Sequence, residues 1–151
     1  MIFKLQGLSI KELVDKYGKG TGGFLQHDWY LEEKFYNETQ PSGEYEFNFD
    51  SPQTLKTYSQ QFSTKRGGYI TSHPALICEA ILTHYEQTGE KLLQNRFIRT
   101  NVEYGTNGDH VIVGYFKEDG LDVTYCADGC MATGISYTDT KKVAELTPNI
   151  K

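Results

Sequence analysis

Three Xaa-Gly pairs punctuate the last third of the chain, and they limit its fold more than any other feature. Asn107-Gly108, Asp119-Gly120 and Asp128-Gly129 stand 12 and 9 residues apart, each beside segments that alternate apolar and polar residues. Ile98, Thr100, Val102 and Tyr104 recur every second position, as do Val111, Val113 and Tyr115, then Leu121, Val123 and Tyr125. A period of two places each set on one face of a strand, and Asn-Gly or Asp-Gly supplies the positive φ of a tight hairpin turn. The pattern predicts an antiparallel β meander over residues 96–140, with a last strand around Gly134-Ile135-Ser136-Tyr137.

The N-terminal portion, residues 1–95, reads as mainly helical with one strand. Ser9 and Glu12 have capping-box spacing, Leu8 and Leu13 fit a hydrophobic staple, and Gly18 is a natural helix stop. Glu44-Tyr45-Glu46-Phe47-Asn48-Phe49 alternates strictly and predicts the strand. Ser51-Pro52 opens a second predicted helix carrying Leu55, Tyr58 and Phe62, with Gly67-Gly68 beyond its end. A third predicted helix follows Ser72-His73-Pro74. Its stripe of Cys78, Ile81, Leu82 and Tyr85, widened by Ile77 and Ala80, marks it as the central helix of the core. Residues 24–39 fit neither period. The expectation is one α+β domain over 1–151, with about three helices packed on a C-terminal meander and a tail from 141 to 151.

At 151 residues the chain is long enough to bury a core without metal or disulfide support, and its 38% hydrophobic content is that of a globular protein. A net charge of −5, with basic pairs only at Lys65-Arg66 and Lys141-Lys142, argues against nucleic-acid binding. No apolar run is long enough to span a membrane, and the first residues lack a signal-peptide pattern. Three cysteines without such a signal point to reduced thiols in the cytoplasm.

The candidate chemistry is sparse. The loop Gly18–Gly23 is glycine-rich, but it follows a helix and matches no phosphate-binding spacing, so a connector is the simpler reading. Cys126 and Cys130 flank a turn; they lack a second ligand pair for zinc and read as unlinked thiols that could pair on oxidation. A thiol hydrolase would need Cys78, Cys126 or Cys130 beside His73, His84 or His110; Cys126 could stand near His110 across neighbouring strands, but no oxyanion feature can be read, so inert thiols are the simpler reading. No cofactor and no metal site is expected. The aromatic share, 13%, is where a contact surface is to be sought. Trp29, Tyr30 and Tyr36 (with Phe35) form one group, and Tyr104, Tyr115, Tyr125 and Tyr137 recur near strand ends. Asn107, Asp119, Asp128, Cys126 and Cys130 sit at the turns between them.

The segments Arg99-Thr100, Asp109 through Phe116, Gly120-Leu121-Asp122-Val123 and Gly134-Ile135, closing on Lys141-Lys142, resemble the C-terminal part of small uncharacterised proteins of phages and uncultured bacteria. Some of those are similar to the C-type lectin-like variable proteins of diversity-generating retroelements. That resemblance implies a ligand-binding surface displayed at Tyr125, Cys126, Asp128, Gly129, Cys130 and Thr133. The expected function is therefore a non-enzymatic module that binds a protein or small ligand through loops and tyrosines. A phage-encoded inhibitor of a host defence component and a small thiol-dependent hydrolase are the alternatives. An exposed edge of the meander would also allow a homodimer by sheet extension.

Overall fold

Ser9 starts the first helix, α1 (Ile10–Tyr17), through a complete capping box. Its Oγ accepts the Glu12 N–H at 3.1 Å, and the Glu12 carboxylate accepts the Ser9 N–H at 3.1 Å. Gly18 closes the helix by donating its N–H to the Val14 carbonyl. The second helix, α2 (Pro74–Thr88), has proline in its first turn and ends at a left-handed Gly89. Nine consecutive residues, Pro74 through Leu82, are buried, so the N-terminal part of this helix is covered all round, whereas its last residues, Glu86 through Thr88, are exposed. It packs against α1, the first strand and the meander strands, which makes it the centre of the core.

The computed structural model describes residues 2–25, 29–49, 54–55, 72–105, 109–126, 132–133 and 136–139. The turns expected at Asn107-Gly108 and Asp128-Gly129, the glycines 67–68, candidate residues Asp128 and Cys130, and the tail from 141 lie outside them. Among the described residues there are two α-helices and two sheets. The smaller sheet orders β1 (Ile2–Leu5), β2 (Gly43–Asn48) and β8 (Ser136–Asp139), all antiparallel. In the larger one, β3 (Thr54–Leu55) and β7 (Ala132–Thr133) lie beside the meander strands β4 (Phe97–Tyr104), β5 (Asp109–Lys117) and β6 (Gly120–Cys126). The β4–β7 contact, at Ile98 and Thr133, is its parallel pairing.

Three expectations are corrected. Leu55 was expected on a second helix, yet Thr54 and Leu55 pair with Thr133 and Ala132 as a short strand. Pairing with a distant segment outweighs the local Ser-Pro start signal, and the remainder of that predicted helix lies outside the described residues. The last predicted meander strand instead crosses to the other sheet, where Tyr137 pairs with Phe47 and Asp139 with Tyr45. The first 95 residues hold more strand than expected, because β1 extends β2 with Phe3 opposite Tyr45. Phe3, Phe47 and Phe49 then meet with centroids 5.6–5.9 Å apart. The meander is buried on both faces at its middle: His110 through Gly114 are all buried, whereas strict alternation predicts one solvated face.

A buried carboxylate ties α2 to the chain before α1. Glu79, 2% exposed, accepts N–H bonds from Gln6 at 2.7 Å, Gly7 at 3.0 Å and Leu8 at 3.1 Å. Three charge-assisted bonds offset the desolvation of one charge, and removing the acceptor would leave the buried Gly7 N–H unmade at about 1–3 kcal/mol.

The glycine-rich loop has a definite role. Phe24 N–H donates to the Gly18 carbonyl at 2.9 Å and Gly20 N–H to the Phe24 carbonyl at 2.7 Å, so these amides close the loop on itself. The loop lays residues 23–25 along the outer edge of β6: Leu121 N–H donates to Gly23 and Leu25 N–H to Leu121. Gly120, at φ +124°, sits so close that a Cβ there would lie 2.5 Å from the Phe24 carbonyl carbon. The β5–β6 loop is accordingly Glu118-Asp119, with Gly120 already paired to Lys117, one residue earlier than the sequence predicts.

Candidate functional site

Residues 29–37 form two short 3-10 helices, Trp29–Glu32 and Lys34–Asn37, which explains why neither standard period fits them. The first holds Trp29 against the end of the meander. Its indole N–H donates to the Val123 carbonyl at 2.9 Å, covering a second point on the β6 edge. Trp29 meets Tyr104 and Tyr125 edge to face, at 5.0 Å to each. Tyr104 and Tyr125 lie 4.3 Å apart. Strand register explains the meeting: Tyr104 stands opposite Asp109 and Tyr125 opposite Val111, so both tyrosines project from one face on either side of β5.

The three rings form a patch rather than a sealed core. Tyr125 is 42% exposed, while Trp29 and Tyr104 are half-buried. Asp109 stands opposite Tyr104 in the strand register, and the charge of Glu33 also acts on the Tyr104 hydroxyl. The Tyr104 hydroxyl is held above its usual pKa first by partial burial, then by the negative charges of Glu33 and Asp109 and by Tyr125. The local field therefore favours a cation.

The other expected site residues divide clearly. Tyr30 is 0% exposed and is a core residue, packed against Phe24, Trp29 and Tyr36, because the 3-10 turn points it inward. It is not part of a surface. Tyr36 is half-buried on that inner layer. Tyr115 lies six residues along β5 from Asp109, about 20 Å away at roughly 3.3 Å per residue, and Asp119 lies in the loop beyond the far end of that strand. Tyr137 pairs in the smaller sheet. Asn107 lies outside the described residues. Glu33 and Asp109, which give the patch its charge, carry no motif; only the register and the 3-10 turn bring them to the rings.

The thiols are corrected too. Cys126 is disulfide-bonded rather than an unlinked thiol, and Cys78 is the free cysteine among the described residues. Cys126 does stand directly opposite His110, as expected across neighbouring strands. A sulfur held in a disulfide is not a nucleophile, however, and His110 turns its Nε2 toward Glu103 at 3.8 Å. Burial drives the Cys78 thiol far above its ordinary pKa, so it stays protonated and inert. Among the described residues no three His, Cys, Asp or Glu side chains converge as a metal site, and no helix is long and apolar enough to cross a membrane.

Comparison with protein-family models, with curated proteins and with solved structures finds no match to this chain.

Proposed function

We propose that this protein is a non-enzymatic binding module that holds an arginine- or lysine-bearing segment of a partner protein on the Trp29–Tyr104–Tyr125 patch. The observation that carries the reading is the convergence of three aromatic rings from separate parts of the chain beside Glu33 and Asp109. A guanidinium or ammonium gains from the ring faces and from both carboxylates at once, and Arg gains more because it stacks as well. The net charge of −5 supports attraction of a basic partner. Tyr125 and Cys126 are also the described meander positions that the lectin-like resemblance assigns to ligand display. The hydrolase alternative finds no support in a disulfide-bonded Cys126 and a buried Cys78.

The lone tryptophan of the chain lies inside the patch, so its fluorescence reports occupancy directly. Titration with an arginine-rich nonapeptide is expected to change Trp29 emission in a saturable way that weakens as salt rises. A glutamate-rich peptide of the same length is expected to leave it unchanged. The Tyr125→Ala variant is expected to bind the basic peptide about tenfold more weakly. Equal responses to both peptides, or an unaffected Tyr125→Ala variant, would refute the proposal.

A further inference from the structure

The far end of β5 carries a second feature built from strained backbone. A bulge between Gly114 and Lys117 re-aims the strand, and within it Tyr115 adopts φ +46°. The facing turn before β4 holds Leu93 at φ +57°. Among the described residues these are the two side-chain-bearing positions in the left-handed region, and their segments clasp one another. Phe116 N–H donates to the Leu93 carbonyl at 3.1 Å, and Tyr115 N–H to the Arg96 carbonyl at 3.2 Å. Strain of this kind collects at ligand clamps, where the surrounding structure holds it in place.

Between the two segments opens a cleft of about 700 Å³, within the range of about 300–1,000 Å³ that small-molecule sites occupy. Phe116 lies under it, and Lys91, Gln94, Asn95, Lys117, Glu118 and Asp119 line it. The lysines are held by rings: Lys91 Nζ stands 5.6 Å from the Tyr85 centroid and 5.5 Å from that of Phe116, and Lys117 Nζ stands 5.0 Å over Tyr115. Among the described residues no ion pair joins either ammonium to Glu118 or Asp119. Two cations and two anions thus share one cleft without neutralising each other. A ligand of a single sign would meet one attractive pair and one repulsive pair, whereas a ligand carrying both signs satisfies all four.

We propose that this cleft binds a small zwitterion, an ammonium carboxylate of the free amino-acid or dipeptide class. Its carboxylate faces Lys91 and Lys117 with the Gln94 and Asn95 amides as further donors, and its ammonium faces Glu118 and Asp119. The test uses amide NMR of the full chain with three probes: L-alanyl-L-alanine, its N-acetyl form and its C-terminal amide. The free dipeptide is expected to shift resonances at 91–95 and 115–120 to saturation. Each blocked form, lacking one charge, is expected to bind about tenfold more weakly. Lys91→Met is expected to weaken the free dipeptide and its N-acetyl form while sparing the C-terminal amide, and Asp119→Asn, a second surface variant, is expected to weaken the free dipeptide and the amide while sparing the N-acetyl form. Absence of saturable shifts below about 10 mM for all three probes overturns the proposal. So does equal affinity for the free and blocked forms.

Discussion

Single residues set the chemistry of this molecule, and His73 shows how. Its Nδ1 accepts the Ala75 N–H at 3.1 Å, capping α2, while Nε2 lies 3.1 Å from Glu38 Oε1. A ring nitrogen that accepts from an amide carries no proton, so Nε2–H is the donor to Glu38 and the ring is neutral. Burial lowers its pKa below the ordinary 6.5, against the smaller upward pull of Glu38. The unfolded chain takes up a proton as pH falls through 6.5, whereas the folded ring resists it. Stability from this group is therefore complete above that pH and is lost as pH falls toward the folded-state pKa. His73→Asn keeps a capping acceptor but does not titrate. Urea unfolding between about pH 7 and about pH 5 is expected to show a shallower loss of stability in this variant than in the parent. Identical slopes for the two proteins would show that His73 is not the group responsible.

At the scale of elements, what the sequence makes legible is what short-range physics decides. The Ser9–Glu12 capping box, the buried stripe of α2 and the alternation of β4 to β6 are all local patterns, and all three elements form where they predict. Strand β1 was missed because four residues carry too little periodicity to register. The departure of β8 to the smaller sheet was missed because alternation fixes which face a residue takes, not which strand it joins. Trp29, Tyr104 and Tyr125 are each visible in the sequence as candidates; that they form one patch depends on a 3-10 turn and on register across β5. The latch of residues 23–25 on β6 belongs to the same class, since Gly120 looks like an ordinary turn glycine until Phe24 is seen beside it. Gly120→Ala places a side chain at positive φ against backbone and is expected to destabilise the fold by about 2 kcal/mol or more. Because the latch carries the chain toward Trp29, the emission of that residue is expected to move toward that of an exposed indole in the same variant. Unchanged stability and emission would contradict the latch.

For the molecule as a whole, α2 touches both sheets, and β8 returns the end of the described chain to the strand pair that begins it. The edge of β6, open to sheet extension in the sequence reading, is engaged at Leu121 by residues 23–25 and at Val123 by Trp29. Among the described residues the two cysteines divide into one inert and one bonded. Iodoacetamide applied to the protein unfolded without reductant is expected to modify Cys78 and spare Cys126, as read by peptide mapping. Modification of Cys126 in that sample would contradict the disulfide. The two ends of β5 are independent surfaces, one aromatic and acidic, the other a cleft of mixed charge, so a ligand can be assigned to one or the other by position alone. Amide NMR mapping of the arginine-rich nonapeptide on the full chain makes that assignment directly. The account predicts perturbations centred on residues 29–33, 103–105, 109 and 123–126. Perturbations centred on 91–95 and 115–120, or spread without a centre, would contradict it.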